Sequence, residues 1–205
     1  MNLNVKTLVA RLRQQATPFS RFMVGIAGPP GSGKSTTAEM LRDGLLASGE
    51  SAIVVPMDGF HFDDAVLNAR GHRPRKGAPF TFDVAGFEVL LKRIKAREPE
   101  IAIPVFDRAM ELARNAADIV TDEAKFILVE GNYLLLKSSP WDRLKPLFDF
   151  TIYLNVPEAE LDRRLMQRWH GFGFSDEKAK AWIASNDIPN IRTVQSESAV
   201  ADLTL

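Results

Sequence analysis

Gly28-Pro29-Pro30-Gly31-Ser32-Gly33-Lys34-Ser35 follows an apolar run, Phe22 to Ala27, and leads into a stretch of helical composition, Lys34 to Ala47, closed by Gly49. The spacing G-x-x-x-x-G-K-S has a physical purpose. Its glycines let the backbone turn with N–H groups inward, so that these amides and the N-terminus of the next helix can hold phosphate oxygens. Lys34 would reach the outer phosphates and the Ser35 hydroxyl would ligate Mg²⁺. The expected cradle comprises Gly28, Pro29, Pro30, Gly31, Ser32, Gly33, Lys34, Ser35 and Thr36. Strand, loop and helix in this order predict binding of a nucleoside triphosphate such as ATP.

Outward from the loop, strands and helices alternate. Leu3, Val5, Leu8, Val9 and Leu12 approximate helical spacing before the first strand. Ser51 to Pro56 reads as a second strand delivering Asp58 at its C-terminal end, where ligands gather in open parallel sheets. Residues 59–82 read as an irregular segment with a basic cluster of Arg70, His72, Arg73, Arg75 and Lys76. Phe87 to Ala96 is an expected helix stopped by Pro99, and Lys125 to Val129 an apolar strand ending in Glu130 and Gly131. Thr151 to Val156 is a further strand, broken by Pro157, and Glu158 to Trp169 a basic helix. Ile191 to Val194 and Ala199 to Leu203 would add one or two strands. The pattern predicts one α/β domain over residues 1–205, a three-layer fold of the P-loop NTPase type. Its sheet is mostly parallel, with helices on both faces and a small lid at about residues 158–175.

Bulk properties narrow the function. Twenty-six basic residues balance 26 acidic ones, so no global field draws the chain to nucleic acid or an anionic membrane. No apolar run reaches the length of a membrane span. Cysteine is absent, which excludes disulfides, thiolate metal sites and cysteine nucleophiles, and fits a cytoplasmic location. The N-terminus has no acidic residue before Glu39, like a transit peptide, but its helical spacing runs straight into the first strand. The expected partner is a small molecule. A homodimer is left open.

A GTPase switch would need an Asp-x-x-Gly after a strand and an Asn-Lys-x-Asp; Asp83 to Gly86 follows no strand and the second motif is missing. Small-molecule phosphoryl transfer remains, and it calls for a proton acceptor, a metal and cations on the transferred group. Asp58 is the candidate base. Glu130, ending the most hydrophobic strand, is placed with Ser35 to hold Mg²⁺ or its water. Arg164 and Arg168 are four apart, on one face of the basic helix, where they and Lys34 could clamp a phosphoryl group. A rival of another class is an ATP-binding regulator or assembly protein that hydrolyses slowly.

In this order Gly28 to Ser35, Met57-Asp58-Gly59-Phe60-His61, Arg75-Lys76-Gly77-Ala78-Pro79 with Phe82-Asp83, Phe106-Asp107-Arg108 and Val129-Glu130-Gly131-Asn132-Tyr133 resemble the P-loop kinases that include pantothenate kinase, uridine kinase and phosphoribulokinase. The chain most resembles the shorter proteins labelled fructose transport system kinases, whose Asn-Asp-x-Pro-Asn pattern is matched at Asn186, Asp187, Pro189 and Asn190. The resemblance implies an ATP and Mg²⁺ dependent kinase with Asp58 as base and Arg164 and Arg168 in the lid. Its acceptor would be a sugar of fructose type or a related polyol, with pantothenate or a uridine-type nucleoside as alternatives. His61, Arg75, Lys76, Asp83, Asp107 and Arg108 would face the acceptor. Pantothenate kinases carry Tyr-Ser-His where Phe106-Asp107-Arg108 stands, and uridine kinases carry Asp-His at Asp107-Arg108, which favours the sugar.

Overall fold

The computed structural model describes residues 4–205. Helix α1 (Val5–Ala16) starts at Asn4, whose side chain accepts a hydrogen bond from the Thr7 N–H and caps the first turn. It buries Leu8, Val9, Leu12 and Ala16, as the spacing predicts, while Leu3 lies outside the described residues. Strand β1 (Phe22–Ala27) follows, then the loop and helix α2 (Lys34–Ala47). Strand β2 (Ala52–Pro56) ends just before Asp58, and helices α3 (Asp64–Ala69) and α4 (Val84–Lys95) flank a series of short turns.

Two strands, β3 (Glu100–Asp107) and β4 (Leu112–Thr121), form an antiparallel hairpin of their own. The central sheet resumes with β5 (Phe126–Gly131) and β6 (Phe150–Tyr153). Helix α5 (Glu158–Gly171) and helix α6 (Asp176–Trp182) come next, with a π-helical turn (Ile183–Asp187) joining α6 to α7 (Ile188–Glu197). Strand β7 (Leu203–Thr204) closes the chain.

The sheet order is β2-β5-β1-β6-β7, with every neighbouring pair parallel. All six residues of β1 and of β5 are buried, because a parallel sheet covered on both faces leaves neither strand face to water. On one face, Leu8, Leu12, Leu41 and Leu45 of α1 and α2 pack on Val24, Ile26, Leu128 and Ile152. On the other, Phe87, Leu91 and Ile94 of α4 join Met23, Ile127 and Val129. The three-layer α/β architecture is thus present. The register is what makes the site: β5 lies between β1 and β2, with Glu130 opposite Ile26 on one side and Pro56 on the other. The phosphate loop, Glu130 and Asp58 therefore leave adjacent strand ends together.

Three expectations change. Ile191 to Val194 is helical, inside α7, because Ile191 and Val194 fall three apart on its buried side. Of Ala199 to Leu203 only Leu203 is in a strand, and β6 stops at Tyr153 rather than Val156. The hairpin was not expected at all. Its signal is the alternation of buried Ile101 and Ile103 with exposed Ala102, and the pairing shifts where Pro104 has no N–H to donate.

Arg21 ties the edge of this architecture. Its buried guanidinium donates to the carbonyl oxygens of Ala124 (2.9 Å), Ile94 (2.7 Å) and Thr121 (2.6 Å). Arg21→Met would strand these acceptors, so a loss of about 3 kcal/mol is expected. For a chain of this size that lowers Tm by roughly 6–12 °C. Thermal unfolding followed by circular dichroism measures it, and a shift smaller than the scatter between replicates would contradict this account of Arg21.

Candidate active site

The loop turns through left-handed backbone at Gly31 (φ 80°) and Gly33 (φ 90°), conformations that side-chain-bearing residues adopt at a cost. Gly33 begins α2 without a side-chain cap, so the first amides of the helix stay available for an anion. Lys34 is 8% exposed, and its Nζ donates to the Pro29 carbonyl at 3.0 Å. Burial lowers its pKa to about 8 against the opposing pull of Glu130 and Asp58. A polyphosphate entering the loop would restore the missing counter-charge.

The Ser35 hydroxyl donates to Glu130 Oε1 at 3.2 Å. Glu130 is 7% exposed, and burial, reinforced by the Asp58 charge, pushes its pKa up to about 7 although Lys34 and Ser35 oppose the rise. A hydroxyl and a carboxylate beside a phosphate cradle suit Mg²⁺, which keeps several waters and takes its other ligands from the nucleotide. Among the described residues no cluster of three or more acidic or histidine side chains forms a protein-only cage.

Asp58 sits in a short turn (Met57–Phe60) beyond β2. Gly59 is required there: a Cβ on it would lie 2.3 Å from the Pro104 carbonyl oxygen, so the hairpin rests directly on this turn. Burial works against the Asp58 charge, but His61, Arg108, Lys34 and Arg168 together outweigh it and hold the carboxyl below its ordinary range. Arg108, from the hairpin turn, makes an ion pair with Asp58 Oδ2. His61 lies between the tilted rings of Phe82 (4.0 Å) and Phe106 (4.9 Å), and its Nδ1 lies 2.8 Å from the Asp58 carbonyl. Its role here is to fix the turn.

These groups line a cavity of about 640 Å³ whose far wall is α5, α6 and the π turn. The two candidate arginines part company. Arg168 lines the cavity beside the rings of Trp169 and Phe172, and among the described residues no acceptor takes a hydrogen bond from its guanidinium. Burial and the neighbouring Arg108 disfavour its charge. Arg164 instead donates to Glu160 (2.7 Å) and to the carbonyls of Gly31 (3.3 Å) and Ser32 (3.1 Å), bracing the phosphate loop from behind.

Of the residues expected to face the acceptor, His61, Lys76 and Arg108 line the cavity; Arg75, Asp83 and Asp107 do not. Asp83 caps α4 by accepting from the Gly86 N–H. Asp107 accepts from the N–H groups of Ala109 and Met110 in the hairpin turn. Lys76 is buried with its ammonium donating to Asp64 (2.8 Å) and the Glu111 carbonyl (2.8 Å). Arg75 donates to Asn186 and Asn190, both at 3.2 Å. Most of the basic stretch is therefore consumed internally.

Trp169, Phe174, Trp182, Asn186, Asp187 and Asn190 also line the cavity and were not assigned a role from chemistry. Trp169, Phe174 and Trp182 come from α5, α6 and the link between them, and the π turn brings in the rest. Pro189 lacks the N–H that would continue the helical ladder, and the chain widens before it, turning Asn186, Asp187 and Asn190 inward. Asn186 Nδ2 donates to the Lys76 carbonyl at 2.9 Å, and Trp169 Nε1 donates to Asp187 at 2.8 Å.

The model of the phosphoribulokinase/uridine kinase family matches residues 23–186. The chain belongs to this family. A solved protein from Silicibacter sp. TM1040, provisionally described as a fructose transport system kinase, is 40% identical and superposes with a TM-score of 0.95 over 100% of both chains. The uncharacterized protein YggC of Escherichia coli K12 is 36% identical over 93% of this chain and 79% of its own length. A protein of Schizosaccharomyces pombe, provisionally named a uridine kinase, is 33% identical over 90% of this chain and 83% of its own. The family member described here is thus a P-loop small-molecule kinase, an ATP-dependent phosphotransferase with a hydroxyl group as acceptor. No described helix is long and apolar enough to cross a membrane.

Proposed function

We propose that the acceptor is a sugar or related polyol, and that Asp58 takes the proton from its attacking hydroxyl. The observation that carries the assignment is the placement of the Asp58 carboxylate, held ionised by surrounding cations, in the same cavity as Lys34 and the phosphate loop. Trp169 and Trp182 in the opposite wall give it the aromatic surface that sugar sites use, and the Silicibacter protein's label supports a fructose-type acceptor.

In this scheme the loop amides and Lys34 hold the outer phosphates, and Arg168 approaches the transferred group from α5. Ser35 and Glu130 would hold Mg²⁺, which neutralises phosphate charge when bound. Arg164 acts through the loop it braces. Helix α5 and the turn after it serve as the lid that excludes water.

ADP formation measured with ATP and a panel of sugars, sugar acids, sugar phosphates, uridine and pantothenate tests the acceptor. A sugar-class compound is expected to raise turnover most. Pantothenate or uridine as the best acceptor would overturn the sugar assignment and leave the kinase reaction standing.

A further inference from the structure

Asp58 is engaged by Arg108, and that pairing bears on which acceptor can be used. A carboxylate with an oxygen held by a guanidinium is a weaker proton acceptor, so opening the pair makes Asp58 a better base. Opening it releases a cation that is 46% exposed at the cavity mouth, resting near the Phe106 ring at 5.5 Å. Arg168, itself without an acceptor, faces the same space.

The carboxylates that line the cavity with Arg108 have partners of their own, Glu130 accepting from the Ser35 hydroxyl. Asp107 serves the turn amides and pairs with Arg114 at 3.3 Å, and Asp64 is shared by Arg73 and Lys76. Glu111 is turned to Lys76 at 3.4 Å, and Asp187 accepts from Trp169. A ligand that carries an acidic group would supply Arg108 with a fresh partner. In the scheme above the nucleotide has the loop amides, Lys34 and Arg168, whereas Arg108 comes from the hairpin turn.

We propose that Arg108 is a specificity residue that binds an acidic group, carboxylate or phosphate, on the acceptor, and that this exchange frees Asp58. The inference rests on the kinase reading above and names the charge of its acceptor. In the step that follows, the acceptor hydroxyl gives its proton to Asp58 and its oxygen bonds to the γ-phosphorus of ATP. The bond from that phosphorus to the bridging oxygen breaks, leaving ADP and a phosphorylated acceptor.

The test compares acceptors that differ by one acidic group: gluconate against glucose for a carboxylate, fructose 6-phosphate against fructose for a phosphate. The wild-type protein should favour the acidic member of at least one pair in kcat/KM. Arg108→Gln should lower kcat/KM for that acidic member about 30-fold, mainly through KM, as loss of a charge-assisted contact does. The neutral member should change far less, Arg108→Lys should recover part of the loss, and the KM for ATP should not follow.

Preference for the neutral members, or an equal fall for both members in Arg108→Gln, would overturn the inference while leaving the kinase reading intact. A rise in the ATP KM matching the fall would also overturn it, assigning Arg108 to the nucleotide. Failure of every acceptor would overturn both.

Discussion

Lys34→Ala lowers kcat by about a thousandfold, the loss typical of removing a preorganised donor from developing charge in a water-poor site. The side chain is 8% exposed and lies within the electrostatic reach of Glu130 and Asp58, so no mobile surface lysine can substitute for it. The same variant separates function from stability. Burial lowers the Lys34 pKa from 10.5 in the unfolded chain to about 8 in the empty fold. Below pH 8 both states carry the proton and the folded state bears the whole penalty, which is relieved as pH rises from 8 to 10.5. At pH 7 the penalty is about 3 kcal/mol, set against the packing lost with the stem. The empty variant should therefore melt no lower than the empty wild type. Turnover and ATP binding that survived the substitution would contradict the phosphate-cradle role.

Asp58→Asn should lower kcat by about a thousandfold while leaving the ATP KM within a few-fold, since a general base contributes roughly 10²–10⁴. The carboxamide keeps the shape of the side chain and loses only its charge and basicity. The cations around Asp58 hold its carboxyl below the ordinary carboxylate range, so it stays ionised at neutral pH. A fall in rate between pH 8 and pH 6 would then belong to another group. Steady-state kinetics with the best acceptor of the panel measures both parameters; a tenfold rise in ATP KM with unchanged kcat would mean that Asp58 serves nucleotide binding instead.

The nucleotide half of the site was legible because its signals are local. The loop spacing, the apolar runs at β1 and β5 and the acids at their ends follow from backbone and burial rules that act over a few residues. Even so, that Glu130 lies between the phosphate loop and Asp58 comes from the order of the strands, which no local pattern states. The acceptor half was less legible. Asp83 and Asp107 were expected to face the acceptor but are occupied by helix and turn amides, a use of aspartate that is as common as it is local.

Arg164 and Arg168 share a helical face, yet one turn of helix carries one past the loop backbone and the other into the cavity. Helical periodicity cannot distinguish those outcomes without the neighbouring strand. The C-terminal segment was misassigned because a few apolar residues suit either period, and the effect of Pro189 on the helix before it shows only in three dimensions.

Transfer of the labelled γ-phosphoryl group from ATP to the acceptor panel, by the wild type and by Asp58→Asn at saturating ATP, bears most directly on the mechanism. The wild type should label a sugar-class acceptor, and the variant should bind ATP equally while labelling that acceptor about a thousandfold more slowly. Labelled inorganic phosphate without any labelled acceptor, or transfer by the variant at the wild-type rate, would contradict it.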